Sequence, residues 1–123
     1  MQNHNSKFKS DLKVRCYQFS LHLISFIDSL QNQRSIWIIA DQLLRCGMSI
    51  GANLIEASAA SSRLEFKKFH EIALKSANET KYWLGLLRDS KKADREKCNE
   101  LLREVTEISN MLASGILKLK GKK

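Results

Sequence analysis

The sequence predicts an all-α fold, an antiparallel up-down-up-down four-helix bundle, and three observations carry that expectation. The 123 residues contain no proline and only five glycines, so little interrupts helix propagation. Apolar residues recur at alternating spacings of 3 and 4 through successive stretches, the signature of helices with one buried face. The polar breaks between these stretches are short, which makes sequential helices antiparallel neighbours. We place the helices at about 7–32, 35–60, 63–90 and 95–119, within one domain spanning residues 1–123.

In the first helix, Leu12, Cys16, Phe19, Leu23, Phe26 and Leu30 step by 4, 3, 4, 3 and 4. This is a seam expected to face three partner helices. A second stripe, Val14, Tyr17, Leu21 and Ile24, lies opposite, set apart by Asp11, Gln18, His22 and Ser29. A helix with two apolar faces usually has two partners, so this stripe is assigned to a subunit interface. The alternative is a broad core edge. The turn Asn32 to Ser35 contains neither glycine nor proline and marks the first break weakly.

The second helix turns Ile36, Ile39, Leu43, Gly47, Ile50, Leu54 and Ala57 inward and Asp41, Gln42 and Arg45 outward. From Arg45 to Ala60 it is rich in small residues, which lets neighbouring helices approach closely. Arg45, Ser49, Asn53 and Glu56, spaced 4, 4 and 3, form a polar line beside the apolar one. With Glu79 of the third helix, this line reads as a hydrogen-bonded seam in which Arg45 and Glu56 share one buried network. A binding groove is the other reading. Ser61 and Ser62 followed by Glu65 form an N-cap and its acid.

The third helix carries Phe66, Phe69, Ala73, Ala77, Thr80, Leu84 and Leu87 on one face, flanked by Ile72 and Trp83. Its other face presents Lys67, Lys68, Glu71, Lys75, Asn78 and Lys81. Asp94 suits the N-cap of the fourth helix. There Leu101, Val105, Ile108, Leu112, Ile116 and Leu119 build the inner face.

Little here suggests catalysis. His4, His22 and His70 have no cysteine or acid at metal-ligand spacing, and the glycines form no phosphate loop. Gly47-Met48-Ser49-Ile50-Gly51 matches the nucleophile-elbow string, but that motif needs a preceding strand where this chain supplies helix. We expect no catalytic residue, no metal and no cofactor. Cys16, Cys46 and Cys98 are odd in number and set among apolar residues, which fits buried thiols in a reducing cytoplasm. With neither a signal-peptide core nor a membrane-length apolar run, a cytoplasmic protein without membrane attachment is expected.

Charge is the strongest functional clue. The net charge is +8; residues 1–15, with Lys7, Lys9, Lys13 and Arg15 against Asp11, hold +3 of it, and residues 108–123, with Lys118, Lys120, Lys122 and Lys123, hold +4. In an antiparallel bundle both ends meet the turn before helix 3, which adds Arg63, Lys67 and Lys68 against Glu56 and Glu65. One pole should therefore be basic, suited to nucleic-acid phosphates.

The stretch LLRCGMSIGANLIEASAASSRLEFKKFHEIALKSANETKYWLGLL resembles the bacterial four-helix-bundle family of proteins encoded in ribosomal RNA intervening sequences, which includes the accessory proteins of diversity-generating retroelements. The matching positions are Arg45, Ser49, Ile50, Asn53 and Glu56, then Ser62, Glu65 and Phe66, then Ala77 to Leu84. Ala57-Ser58 departs from the family, which often has a glycine soon after the acid. The resemblance implies a homo-oligomeric ring, pentameric in the retroelement accessory proteins, whose basic surface engages RNA or DNA and a reverse transcriptase. The expected function is thus a non-enzymatic, oligomeric nucleic-acid-binding accessory protein; the alternative is a protein interaction module with no nucleic-acid role.

Overall fold

The computed structural model describes residues 4–120, with side chains from residue 11 onward. Four helices follow one another: α1 His4–Asp28, α2 Arg34–Ser58, α3 Arg63–Asp89 and α4 Arg95–Lys120. Neighbouring helices pack side by side around the bundle, α1 on α2, α2 on α3, α3 on α4 and α4 on α1. The seam of α1 lies in one buried cluster with apolar residues of all three other helices.

Side-chain pairings give the directions. Arg15 pairs with Glu107 and His22 with Glu104, so the residue number falls on α4 as it rises on α1. Arg45 with Glu79 and Ser49 with Ser76 establish the same sense for α2 and α3. All adjacent pairs are antiparallel, the bundle that the spacing of apolar residues predicts.

The core is built from the predicted stripes. Leu12, Cys16, Phe19 and Leu23 of α1, Leu43, Ile50 and Leu54 of α2, Ala73, Ala77, Leu84 and Leu87 of α3, and Leu101, Val105, Ile108 and Leu112 of α4 form one buried cluster. Each large side chain among them is stabilised by roughly 1.5–3 kcal/mol relative to exposure in water. Small residues set the closest approaches. Gly47 faces Leu23 and Phe19, and Gly51 faces Cys16, so α1 rests almost directly on the backbone of α2.

The ends of the helices follow local chemistry. α1 stops at Asp28, short of the expected 32, because Ser29 turns its hydroxyl onto the Phe26 carbonyl at 2.6 Å while its N–H donates to the same oxygen at 3.1 Å. α2 begins after Gln33, which provides no side-chain cap, and it ends at Ser58 with the Ala59 N–H bonded back to Glu56. Ser62 caps α3 by accepting the Glu65 N–H at 3.1 Å, and the Glu65 carboxylate accepts the Ser61 N–H at 3.0 Å. Asp94 accepts the Lys97 N–H at 3.0 Å at the start of α4. Lys91, in the preceding turn, has φ 61°, a left-handed conformation that terminates α3.

Candidate nucleic-acid interface

Antiparallel packing brings the start of α1, the end of α2, the start of α3 and the end of α4 to one pole. A narrow crevice there is lined by Leu12 and Lys13 of α1, Leu54 and Ser58 of α2, and Phe66 and His70 of α3. Arg63, the first residue of α3, donates to the Leu119 carbonyl in the last turn of α4 at 3.3 Å. That hydrogen bond also satisfies one of the carbonyls a helix C-terminus leaves open, at the end where cations are favoured. Lys67 is half-buried and Lys68 exposed one turn further along α3, and Lys118 and Lys120 are exposed on the last turn of α4. Lys13, Arg63, Lys67, Lys68, Lys118 and Lys120 thus share a pole. The side chains of Lys7 and Lys9, and residues Lys122 and Lys123, lie outside the described residues.

Arg15 differs from this group. Its guanidinium pairs with the carboxylate of Glu107 across the α1–α4 groove, which balances its charge. His22 Nδ1 meets Glu104 at 2.8 Å further along the same groove.

The stripe assigned to subunit contact is exposed along its length, Tyr17 most of all at 70%. Val14, Leu21 and Ile24 accompany it, and α2 adds the exposed Trp37, Met48 and Ile55.

The polar seam forms between α2 and α3, but without one of its expected members. Arg45 donates to Glu79 Oε2 at 2.5 Å and to Gln42 at 2.9 Å, and the Trp83 indole N–H donates to the same Glu79 oxygen at 3.0 Å. The Trp83 hydrogen bond, followed by Arg45, holds the Glu79 carboxyl below its ordinary range. Ser49 accepts from Asn53 at 2.9 Å and from Ser76 at 2.9 Å. Thr80 donates to the Ser76 carbonyl at 2.7 Å and reaches Cys46 Sγ at 3.3 Å. Glu56 is exposed and stands apart, with no side-chain hydrogen bond or ion pair among the described residues. It shares the helix line with Arg45 but sits three turns along it, about 16 Å away, whereas Glu79 arrives directly opposite on α3. The Arg45 and Glu79 side chains are 59% and 38% exposed, so their pair is a surface contact rather than a buried network. No described buried side-chain nitrogen or oxygen lacks a partner.

Among the described residues no three His, Cys, Asp or Glu side chains are grouped to hold a metal ion. Gly47 to Gly51 lies wholly inside α2, so its elbow-like string has no strand-to-helix turn. Cys16, Cys46 and Cys98 are buried free thiols. No described helix is long and apolar enough to cross a membrane.

Neither of the faces expected for the third helix includes Tyr82. It is 63% exposed and meets Trp83 edge to face, with ring centroids 5.0 Å apart. Its heptad relation to Lys68 and Lys75 is the signal that could have singled it out.

This bundle and its helix-2 and helix-3 residues agree with one family over most of the chain: residues 9–114 match the family model described as 23S rRNA-intervening sequence protein. The chain belongs to that family. A crystal structure of a protein of unknown function from the S23 ribosomal protein family of Bacteroides thetaiotaomicron superposes with a TM-score of 0.83 at 37% identity, covering 89% of this chain and 97% of that one. No curated protein matches this chain. Membership in the 23S rRNA-intervening sequence family accounts for the shared bundle; the work this chain does must be argued from its surface.

Proposed function

We propose that this chain is a non-enzymatic nucleic-acid-binding accessory protein that acts as a homo-oligomer and holds RNA or DNA phosphates on its basic pole. The observation that carries the reading is the convergence of Lys13, Arg63, Lys67, Lys68, Lys118 and Lys120 from three helices on one end of the bundle. Clustered cations release condensed counterions from a phosphate backbone, and a ring of subunits would multiply the effect. A pentamer in the cytoplasm, with a reverse transcriptase as protein partner, is the form that the family resemblance favours.

Fluorescence anisotropy with RNA and DNA oligonucleotides at several salt concentrations tests the reading. Binding should weaken steeply with salt. Replacing Lys118, Lys120, Lys122 and Lys123 by Gln should flatten log K against log salt by about 0.7–0.9 for each phosphate that the variant no longer neutralises. Equal affinity for variant and wild type, or no binding at low salt, rejects it. The exposed stripe of Val14, Tyr17, Leu21 and Ile24 favours a second reading, a pure protein interaction module, which would then stand.

A further inference from the structure

We propose that the outer stripe of α3, through Lys68, Lys75 and Tyr82, is a track for single-stranded nucleic acid on which Tyr82 stacks an unpaired base. The inference rests on the basic-pole reading and extends it by naming the kind of strand.

Lys68, Lys75 and Tyr82 follow one another at intervals of seven residues and are exposed, so they share one face of the helix at steps of about 10.5 Å. The line starts at the pole, beside Arg63 and Lys67, and runs away from it along the subunit. Lys68, Lys75 and Lys81 have no ion-pair partner among the described residues. Two of the acids on this part of α3 are engaged, Glu65 with the Ser61 N–H and Glu79 with Arg45 and Trp83. Glu71, the third, is half-buried and stands against these lysines. On α3 itself, from Lys67 to Tyr82, four lysines stand against Glu71 and Glu79, so this helix offers a ligand net positive charge and an aromatic ring at its far end.

Tyr82 is supported as a platform. The edge-to-face Trp83 ring backs it, and Trp83 is itself anchored through its indole N–H to Glu79, which Arg45 holds in place. A phenol ring fixed in this way loses little freedom when a base is laid on it. Such a face selects unpaired bases, because a duplex keeps its base faces stacked inside and shows only edges and phosphates. Unpaired lysines along the stripe argue against a second copy of the chain as occupant, since lysine is depleted where subunits bury their contacts.

The test compares a labelled uridine or thymidine homopolymer with a duplex of equal length at one low salt concentration, and repeats the titrations at a higher one. It uses wild type, Tyr82→Phe, Tyr82→Ala and Lys75→Gln, with light scattering on each protein. The expected result is that Tyr82→Ala weakens single-strand binding about tenfold, the loss of one base–aromatic stack, and leaves duplex binding unchanged. Tyr82→Phe should bind as wild type does, and Lys75→Gln should weaken both ligands and lower the salt dependence. Unchanged single-strand affinity in Tyr82→Ala, equal losses on strand and duplex, or a fall in mass showing that Tyr82 is a subunit contact would each overturn the track while leaving the basic pole intact. Absence of wild-type binding to either ligand would overturn both readings.

Discussion

Gly47 lies against Leu23 so closely that a Cβ on residue 47 would stand 2.3 Å from Leu23 Cδ2. Leu23 is fully buried, so its methyl has little room to retreat. The absence of a side chain at Gly47 is what lets α1 seat on α2 at this level.

Gly47→Ala should therefore destabilise the fold. The helix-propensity gain of about 0.5–1 kcal/mol is outweighed by overpacking of about 1–3 kcal/mol, and Gly47→Val should cost more. Gly85 provides the control, because nothing lies within 4 Å of a Cβ built there. Gly85→Ala should stabilise by about 0.5–1 kcal/mol. Urea unfolding of the variants checks both signs.

The Arg45–Glu79 pair should contribute modestly. With both side chains substantially exposed, a thermal-melt cycle of Arg45→Met, Glu79→Gln and the double variant should give a coupling of about 1 kcal/mol or less. Arg45 and Glu56, expected from the helix line to share a network, should give no coupling.

Glu79 also sets a pH dependence. Its folded-state carboxyl is held low, so its contribution is present above the unfolded value of about 4.3 and is lost as pH falls through the lower folded value. Trp83→Phe removes the first cause of the shift. In an NMR titration of the side-chain carboxyl, Glu79 of Trp83→Phe should titrate at higher pH than in wild type. An unchanged midpoint would assign the shift to Arg45 alone.

Burial pushes the Cys16 thiol up to about 12 and raises Cys46 and Cys98 as well. Thiolates are the reactive form, so the native protein should react slowly with a disulfide reagent at pH 8 and release its full thiol count only on unfolding. Rapid native labelling of one cysteine would mean that its helix opens locally.

The exposed α1 stripe predicts association. Tyr17→Lys with Leu21→Glu should lower the mass measured by light scattering, because two charges would fall within the exposed apolar stripe that also holds Val14 and Ile24. Retention of the wild-type mass would reject this face as the contact.

The architecture and the inner faces were legible in the amino-acid order. Leu12 to Phe26 on α1 and Leu101 to Ile116 on α4 repeat at helical spacing, and burial of one apolar stripe per helix leaves few ways to arrange four helices with short turns. The caps at Ser62 and Asp94 were equally readable, since each acts within three residues of itself. Relations across helices depended on tertiary packing. The line Arg45, Ser49, Asn53, Glu56, with Glu79 expected beside it, shows which residues share a face but not which of them pair across the helices. The antiparallel register supplied Glu79 and Ser76 to its first half and, among the described residues, no hydrogen-bonding partner to the Glu56 side chain. Arg15 likewise reads as part of the basic pole until α4 places Glu107 beside it. Periodicity is a property of one helix, whereas pairing and charge compensation depend on where its neighbours lie, and the sequence specifies those only through the folded whole.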